Sequence, residues 1–193
     1  MLKKEEKFEI VKTAAILFII TAISAGLLAF INSVTSPIIE KNNTIKQVQA
    51  MNKVLPDANF DVVENLVTDK MDKTVTAVYK DKDNAGYAVM VSPIGYGGEI
   101  SMVVGVLNDG TVSGVDIISQ SETAGLGAKC TNDEFISQYI GLNEGVSVSK
   151  GNAKDNQINA ISSATITSKA VTSGVNTAII AAKIAKEEKN NEK

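Results

Sequence analysis

The sequence predicts an α+β protein with a membrane helix ahead of its folded domain. Three observations carry that prediction. An uncharged apolar run of 18 residues, Ala14–Ile31, lies near the start of the chain. Runs with strand-like composition, separated by turn signals, fill the middle. A helical apolar stripe closes the sequence. The chain has 193 residues, of which 44% are apolar and 21% charged, enough for one ordinary core.

The N-terminal segment sets the first boundary. A spanning helix needs roughly 20 apolar residues, and Val34, Ile38 and Ile39 extend the apolar character past Asn32 and Ser33. A cleavable signal would have a shorter apolar core and a small-x-small site, which Asn32-Ser33-Val34 is not. Residues 1–36 are therefore expected to form a short cytoplasmic N-terminus and an uncleaved transmembrane helix. Lys3, Lys4, Lys7 and Lys12 precede the span, and Lys41 and Lys46 are the nearest lysines after it. That asymmetry places the N-terminus in the cytoplasm and the rest on the extracytoplasmic side of the inner or plasma membrane. With no charge in the span, the helix offers no ion path of its own.

Residues 37–186 form the expected extracytoplasmic domain. Pro37 is expected to disturb the end of the span, with helix resuming over Ile38–Val54. Pro56-Asp57-Ala58-Asn59 reads as a break. Thr74–Tyr79 and Tyr87–Val91 read as strands around an Asp83-Asn84-Ala85-Gly86 turn. Pro93–Gly98 is a glycine-rich loop. Glu99–Leu107 and Thr111–Ser119 form a hairpin about Asn108-Asp109-Gly110. Thr131-Asn132-Asp133-Glu134 resembles a capping box before a helix over Phe135–Ile140, with Gly141 as its stop. Val146 and Val148 suggest a short strand. Val171, Val175, Ala178, Ile179 and Ala182 share one face of a final helix. Residues 187–193 are expected to be a frayed tail.

Composition excludes several chemistries. All 19 basic residues are lysine, and there is no Arg, His or Trp. No histidine-based nucleophilic dyad, histidine-ligated metal or arginine clamp can be built. A net charge of −3 with few aromatics argues against nucleic-acid binding. The single cysteine, Cys130, reads as a packing residue, and no metal site is expected.

Two motifs are candidates for chemistry. Ser162-Ser163-Ala164-Thr165-Ile166-Thr167-Ser168 precedes the last helix. It is either a hydroxyl-rich helix cap or an anion site made from hydroxyls and free N–H groups. Glu122-Thr123-Ala124-Gly125-Leu126-Gly127 is either a surface loop or a place where bare backbone lies close to a flat ligand.

Together these stretches resemble the family of proteins carrying covalently bound FMN. SSATITS is similar to that family's acceptor pattern, Asp-x-x-Ser/Thr-Gly-Ala-Thr. ETAGLG is similar to its Glu-Thr-Pro-Gly-Leu-Gly, and Gly95-Tyr96-Gly97-Gly98 before a strand also matches. Asn159 stands where the family has Asp, Ser163 where it has Gly, and Ala124 where it has Pro. Within the family the resemblance is to the G-type subunits of Rnf ion-translocating ferredoxin:NAD oxidoreductases. The C-type subunits of sodium-translocating NADH:quinone reductases are related.

The resemblance implies an α+β FMN-binding domain with an antiparallel sheet and packed helices. It implies an electron-transfer role without stand-alone turnover or catalytic residues. Thr165 would carry FMN as a phosphoester, made by a flavin transferase that uses FAD. Glu122, Thr123, Gly125, Leu126 and Gly127 would lie against the flavin. Ala164 completes the acceptor match. Ser162, Thr167 and Ser168 are expected near the phosphate. Partners would be the membrane and the other subunits of an Rnf complex. The alternatives are a place in a related sodium-translocating NADH:quinone reductase, another membrane-anchored FMN protein, and an anchored binding module without flavin.

Overall fold

The computed structural model describes residues 4–56, 58, 60, 69–83 and 85–191. The chain divides into two compact units, Met1–Ile45 and Lys46–Lys193. The expected break at 56–59 and turn at 83–86 fall partly outside the described residues, at Asp57, Asn59 and Asn84.

One helix, α1, runs over Lys4–Val54. Its stretch Lys12–Ser36, 25 residues long, is apolar enough to cross a membrane. Phe18, Leu28 and Phe30 are each about 70% exposed, as side chains meant for lipid rather than for a protein core would be. The hydroxyl of Thr21 donates to Leu17 O and Phe18 O, both at 2.9 Å, and that of Ser33 to Phe30 O at 2.8 Å. Helix carbonyls thus satisfy these polar groups where water would be absent. The expected disturbance at Pro37 does not occur: the helix is continuous through that position. A proline removes one helical N–H, and a single lost bond does not end a helix whose neighbouring turns are intact.

The second unit is built on a four-stranded antiparallel meander in the order β1-β2-β3-β4. The strands are β1 Val75–Lys80, β2 Gly86–Val91, β3 Ser101–Leu107 and β4 Val112–Ser119. Both faces of the sheet are covered, so alternate residues sort into two cores. Tyr87, Val89 and Val91 of β2 and Met102, Val104 and Val106 of β3 face the larger core, together with Val171, Val175, Ala178, Ile179 and Ala182. Those last five lie on the closing helix, Thr165–Asn191, and the stripe read from the sequence is buried throughout. Ala77, Ala88, Met90 and Val103 face the other way, against Ala50, Met51 and Val54 at the end of α1.

Smaller elements depart from expectation. The supposed capping box does not form. Thr131 ends a 3-10 turn, Gly127–Thr131, and its hydroxyl donates to Ala128 O at 3.0 Å. Asn132 occupies the cap position without a side-chain bond. The helix expected over 135–140 splits into α2, Asp133–Ile136, and a 3-10 turn, Ser137–Tyr139. Gly141 follows at φ 80° and ends this stretch, as the sequence suggested. The short strand near Val146–Val148 is β5, Ser147–Ser149, and it pairs in parallel with β6, Gln157–Asn159, which no sequence pattern announced. The closing helix is α3, and its Asn176 serves Val146 as a further strand would: Oδ1 accepts from Val146 N at 2.9 Å and Nδ2 donates to Val146 O at 2.9 Å. The tail expected to fray from 187 is helical through Asn191, because α3 simply continues.

Candidate functional site

Stretches distant in sequence wall one cavity of about 610 Å³. Its lining is Tyr96, Glu122, Thr123, Leu126, Gly127 and the five residues from Ser163 to Thr167. That volume lies in the range of cofactor pockets, about 300–1,000 Å³.

The first wall is the loop after β2. Ile100 N donates to Pro93 O at 2.9 Å and Gly95 N to Gly98 O at 2.7 Å, closing a tight reversal that presents Tyr96 outward, 71% exposed. The second is the ETAGLG loop. Leu126 N and Ala128 N both donate to Thr123 O at 3.1 Å, and the turn requires Gly125 at φ 76°, where a side chain would be strained. Gly127 has a different reason. A Cβ there would stand 2.6 Å from Glu122 Oε2 and 2.8 Å from Thr167 Oγ1. Only glycine lets this backbone pass so close.

The third wall is the start of α3. Ser168 N donates to Ala164 O at 3.0 Å, the first bond of the helix. The residue before Thr165 is Ala164, which has no side-chain oxygen with which to cap it. Among the described residues nothing accepts from the N–H groups of Thr165, Ile166 and Thr167, and the positive end of the helix stands open at the cavity. Thr165 is half-buried at that end. Ser163 lines the cavity at φ 63°, a left-handed conformation that costs a non-glycine residue about 1–2 kcal/mol.

Not every expected residue meets the cavity. The hydroxyl of Ser168 is buried and fully engaged: Oγ accepts from Ile161 N at 2.9 Å and donates to Ala164 O at 3.0 Å. It closes the helix start from inside. Ser162 lies in a neighbouring groove of about 290 Å³ with Lys129, Gln138 and Asn159. Gly125 shapes its turn without lining the cavity. Thr167 does line it, but its hydroxyl donates to Glu122 Oε2 and so is directed at the carboxylate. In turn Tyr96, Ser163 and Ile166 line the cavity, although the motifs did not single them out as flavin contacts. For Tyr96 the signal was its place within Gly95-Tyr96-Gly97-Gly98.

Glu122 is the buried polar centre of the site, 8% exposed. Gly97 N donates to its Oε1 at 2.8 Å, so one carboxylate ties the first loop to the helix start. Cys130 is fully buried in the core. Burial, and secondarily the charge of Glu122, pushes its thiol up to about 11, which keeps it protonated and inert. No group of metal-ligating side chains exists among the described residues.

A model of the FMN-binding domain family matches residues 95–180, and one of the RnfG N-terminal region matches residues 1–54. The first contains every wall of the cavity. The chain is 39% identical over 186 residues to the G subunit of the Na(+)-translocating ferredoxin:NAD(+) oxidoreductase complex of Acetobacterium woodii, covering 87% of this chain and 89% of that protein. It belongs to the RnfG family. The G subunit of the proton-translocating ferredoxin:NAD(+) oxidoreductase complex of Clostridium ljungdahlii is 33% identical over 180 residues, covering 93% and 95% of the two chains. A solved structure, the C subunit of the Na(+)-translocating NADH-quinone reductase from Parabacteroides distasonis, superposes with TM-score 0.47 at 25% identity, over 57% of this chain and 60% of that one.

Proposed function

We propose that this RnfG protein carries FMN and passes electrons within a membrane-bound, ion-translocating ferredoxin:NAD oxidoreductase complex of the Rnf type. The observation that carries the reading is the coincidence of the FMN-binding-domain match with the cavity, which opens at the bare N-terminus of α3. Free N–H groups there suit a phosphate. Leu126, Ile166 and Tyr96 supply apolar and aromatic wall for a flat ring. Bound FMN supplies one- and two-electron transfer, chemistry that no side chain of this protein provides.

Thr165 is the residue proposed to hold the cofactor covalently, through an ester between Oγ1 and the FMN phosphate. It lines the cavity, half-buried, at the open end of the helix. A flavin transferase with FAD as donor would attach it. A covalent link removes the problem of retaining a scarce cofactor outside the cytoplasm. The lysine asymmetry about Lys12–Ser36 favours a cytoplasmic N-terminus and an extracytoplasmic domain. The remaining partners are the other members of the complex, and ion movement is theirs, since the apolar helix carries no charge between Ala14 and Ile31.

Intact mass of the chain purified from its native membrane tests the reading. An addition equal to FMN minus water, absent in Thr165→Ala and retained in part in Thr165→Ser, is the expected result. An unmodified native chain overturns the covalent link, and a native chain with no flavin absorbance overturns the redox role.

A further inference from the structure

Glu122 combines three properties. It is the sole charged side chain in the cavity lining among the described residues. It is buried. Both of its oxygens accept, one from Gly97 N–H at 2.8 Å and the other from the Thr167 hydroxyl. A carboxylate can take a donor at each oxygen in this way. Bare backbone passes close on both sides: a Cβ on Gly95 or Gly127 would strike those same oxygens. No lysine joins the lining to offset the charge.

We propose that the Glu122 carboxylate sets the reduction potential of the flavin in this cavity, making it harder to reduce. The inference rests on the FMN reading above. Reduction adds electrons, and with them negative charge, beside a negative group that is itself buried and so poorly screened by water. The two donors moderate the carboxylate. Gly97 N–H and the Thr167 hydroxyl draw off part of its charge, so each bond raises the potential relative to a bare carboxylate. Glu122 is thus a positioning and tuning residue. It joins the Gly95–Gly98 loop to α3 and places a negative charge in a cavity whose other wall is the positive N-terminus of that helix.

Two variants of the full chain, purified with their flavin, separate tuning from mere scaffolding. Glu122→Gln keeps the shape: its carbonyl accepts from Gly97, its amide donates to the Thr167 oxygen, and the charge is gone. Its midpoint potential is expected to shift upward. Thr167→Val keeps the charge and removes a donor, and its midpoint is expected to shift downward. A purely structural role would loosen the site in both variants and move both midpoints the same way. Shifts of the same sign, or an unmoved Glu122→Gln midpoint, overturn the inference. If Glu122→Gln holds no flavin, Thr167→Val alone decides: a downward shift supports the inference, and an upward or absent shift overturns it. Wild-type chain without flavin absorbance instead overturns the FMN reading, and this inference with it.

Discussion

Gly114 of β4 lies directly against Val54, the last residue of α1. A Cβ on Gly114 would stand 3.0 Å from Val54 Cα and 3.3 Å from Val54 O. Gly105, its partner across β3 and β4, leaves the same kind of gap, and the hydroxyl of Ser113 donates to Val54 O at 2.6 Å. Two facing glycines and one hydroxyl make a seat for the helix end, and satisfy a carbonyl that has no acceptor role left within the helix.

Filling that seat should loosen the domain. Gly114→Val forces the helix end off the sheet, an overpacking that costs about 1–3 kcal/mol. The midpoint of chemical unfolding should fall accordingly, while Ser113→Ala, which removes only the hydrogen bond, should cost about 1 kcal/mol. Equal midpoints for wild type and Gly114→Val would show that the helix end does not pack there.

Ser163 offers the opposite experiment. At φ 63° it bears a cost that glycine would not. Ser163→Gly should stabilise the native chain, by up to about 1 kcal/mol after the greater flexibility of glycine in the unfolded chain is counted. Ser163→Val, β-branched at the same φ, should destabilise. Thermal unfolding of the three chains orders them Gly, Ser, Val if the backbone keeps its conformation.

Thr172 and Tyr139 form a chain with a definite direction. The Thr172 hydroxyl donates to Ser168 O at 2.8 Å, so at the 2.8 Å contact between the two side chains Tyr139 is the donor. Removing the acceptor leaves a buried phenol hydroxyl unpaired, which costs about 1–3 kcal/mol. Removing the phenol oxygen leaves Thr172 still bonded. Thr172→Val should therefore destabilise more than Tyr139→Phe in urea titration, and the reverse order would refute the assigned direction.

Alkaline pH should unfold this domain through Cys130. Its thiol is pushed from 9.0 to about 11, burial being the main cause. Between those values the unfolded chain has lost the proton that the native chain retains. Stability conferred by the buried thiol is thus complete below about pH 9 and declines as pH rises toward 11. Tyr139 is raised in the same direction by burial and extends the trend above about pH 10. Cys130→Ala should flatten the decline between pH 9 and 11. An unchanged slope would assign it to other groups.

Some of the structure is legible without coordinates because it follows from short-range periodicity. The 18-residue apolar run, the hairpin about Asn108-Asp109-Gly110 and the α3 stripe from Val171 to Ala182 each repeat a local pattern along several turns or residues. The elements that escaped are those without repeats. β6 is three residues long and exists because β5 lies beside it. The supposed capping box failed because the Gly127–Thr131 turn had already claimed Thr131.

The site divides the same way. Residue order alone limits the chemistry on offer: lysine as the basic side chain, no histidine, one cysteine, and two motifs rich in hydroxyls and glycine. It also puts Thr165 at a helix start, since the stripe begins a few residues later. Which hydroxyls face the cavity is a matter of packing in three dimensions. Ser168 and Thr165 are three positions apart in one motif, yet one closes the helix from within and the other stands at the opening. Thr165 is the first residue of α3, at its open end, whereas Ser168 sits a turn further in and its hydroxyl folds back onto Ile161 N and Ala164 O. The same packing brings Glu122 to Thr167 and Gly97, across 45 and 25 residues. No local pattern encodes that meeting, because it depends on how the loops after β2 and β4 converge at the N-terminus of α3.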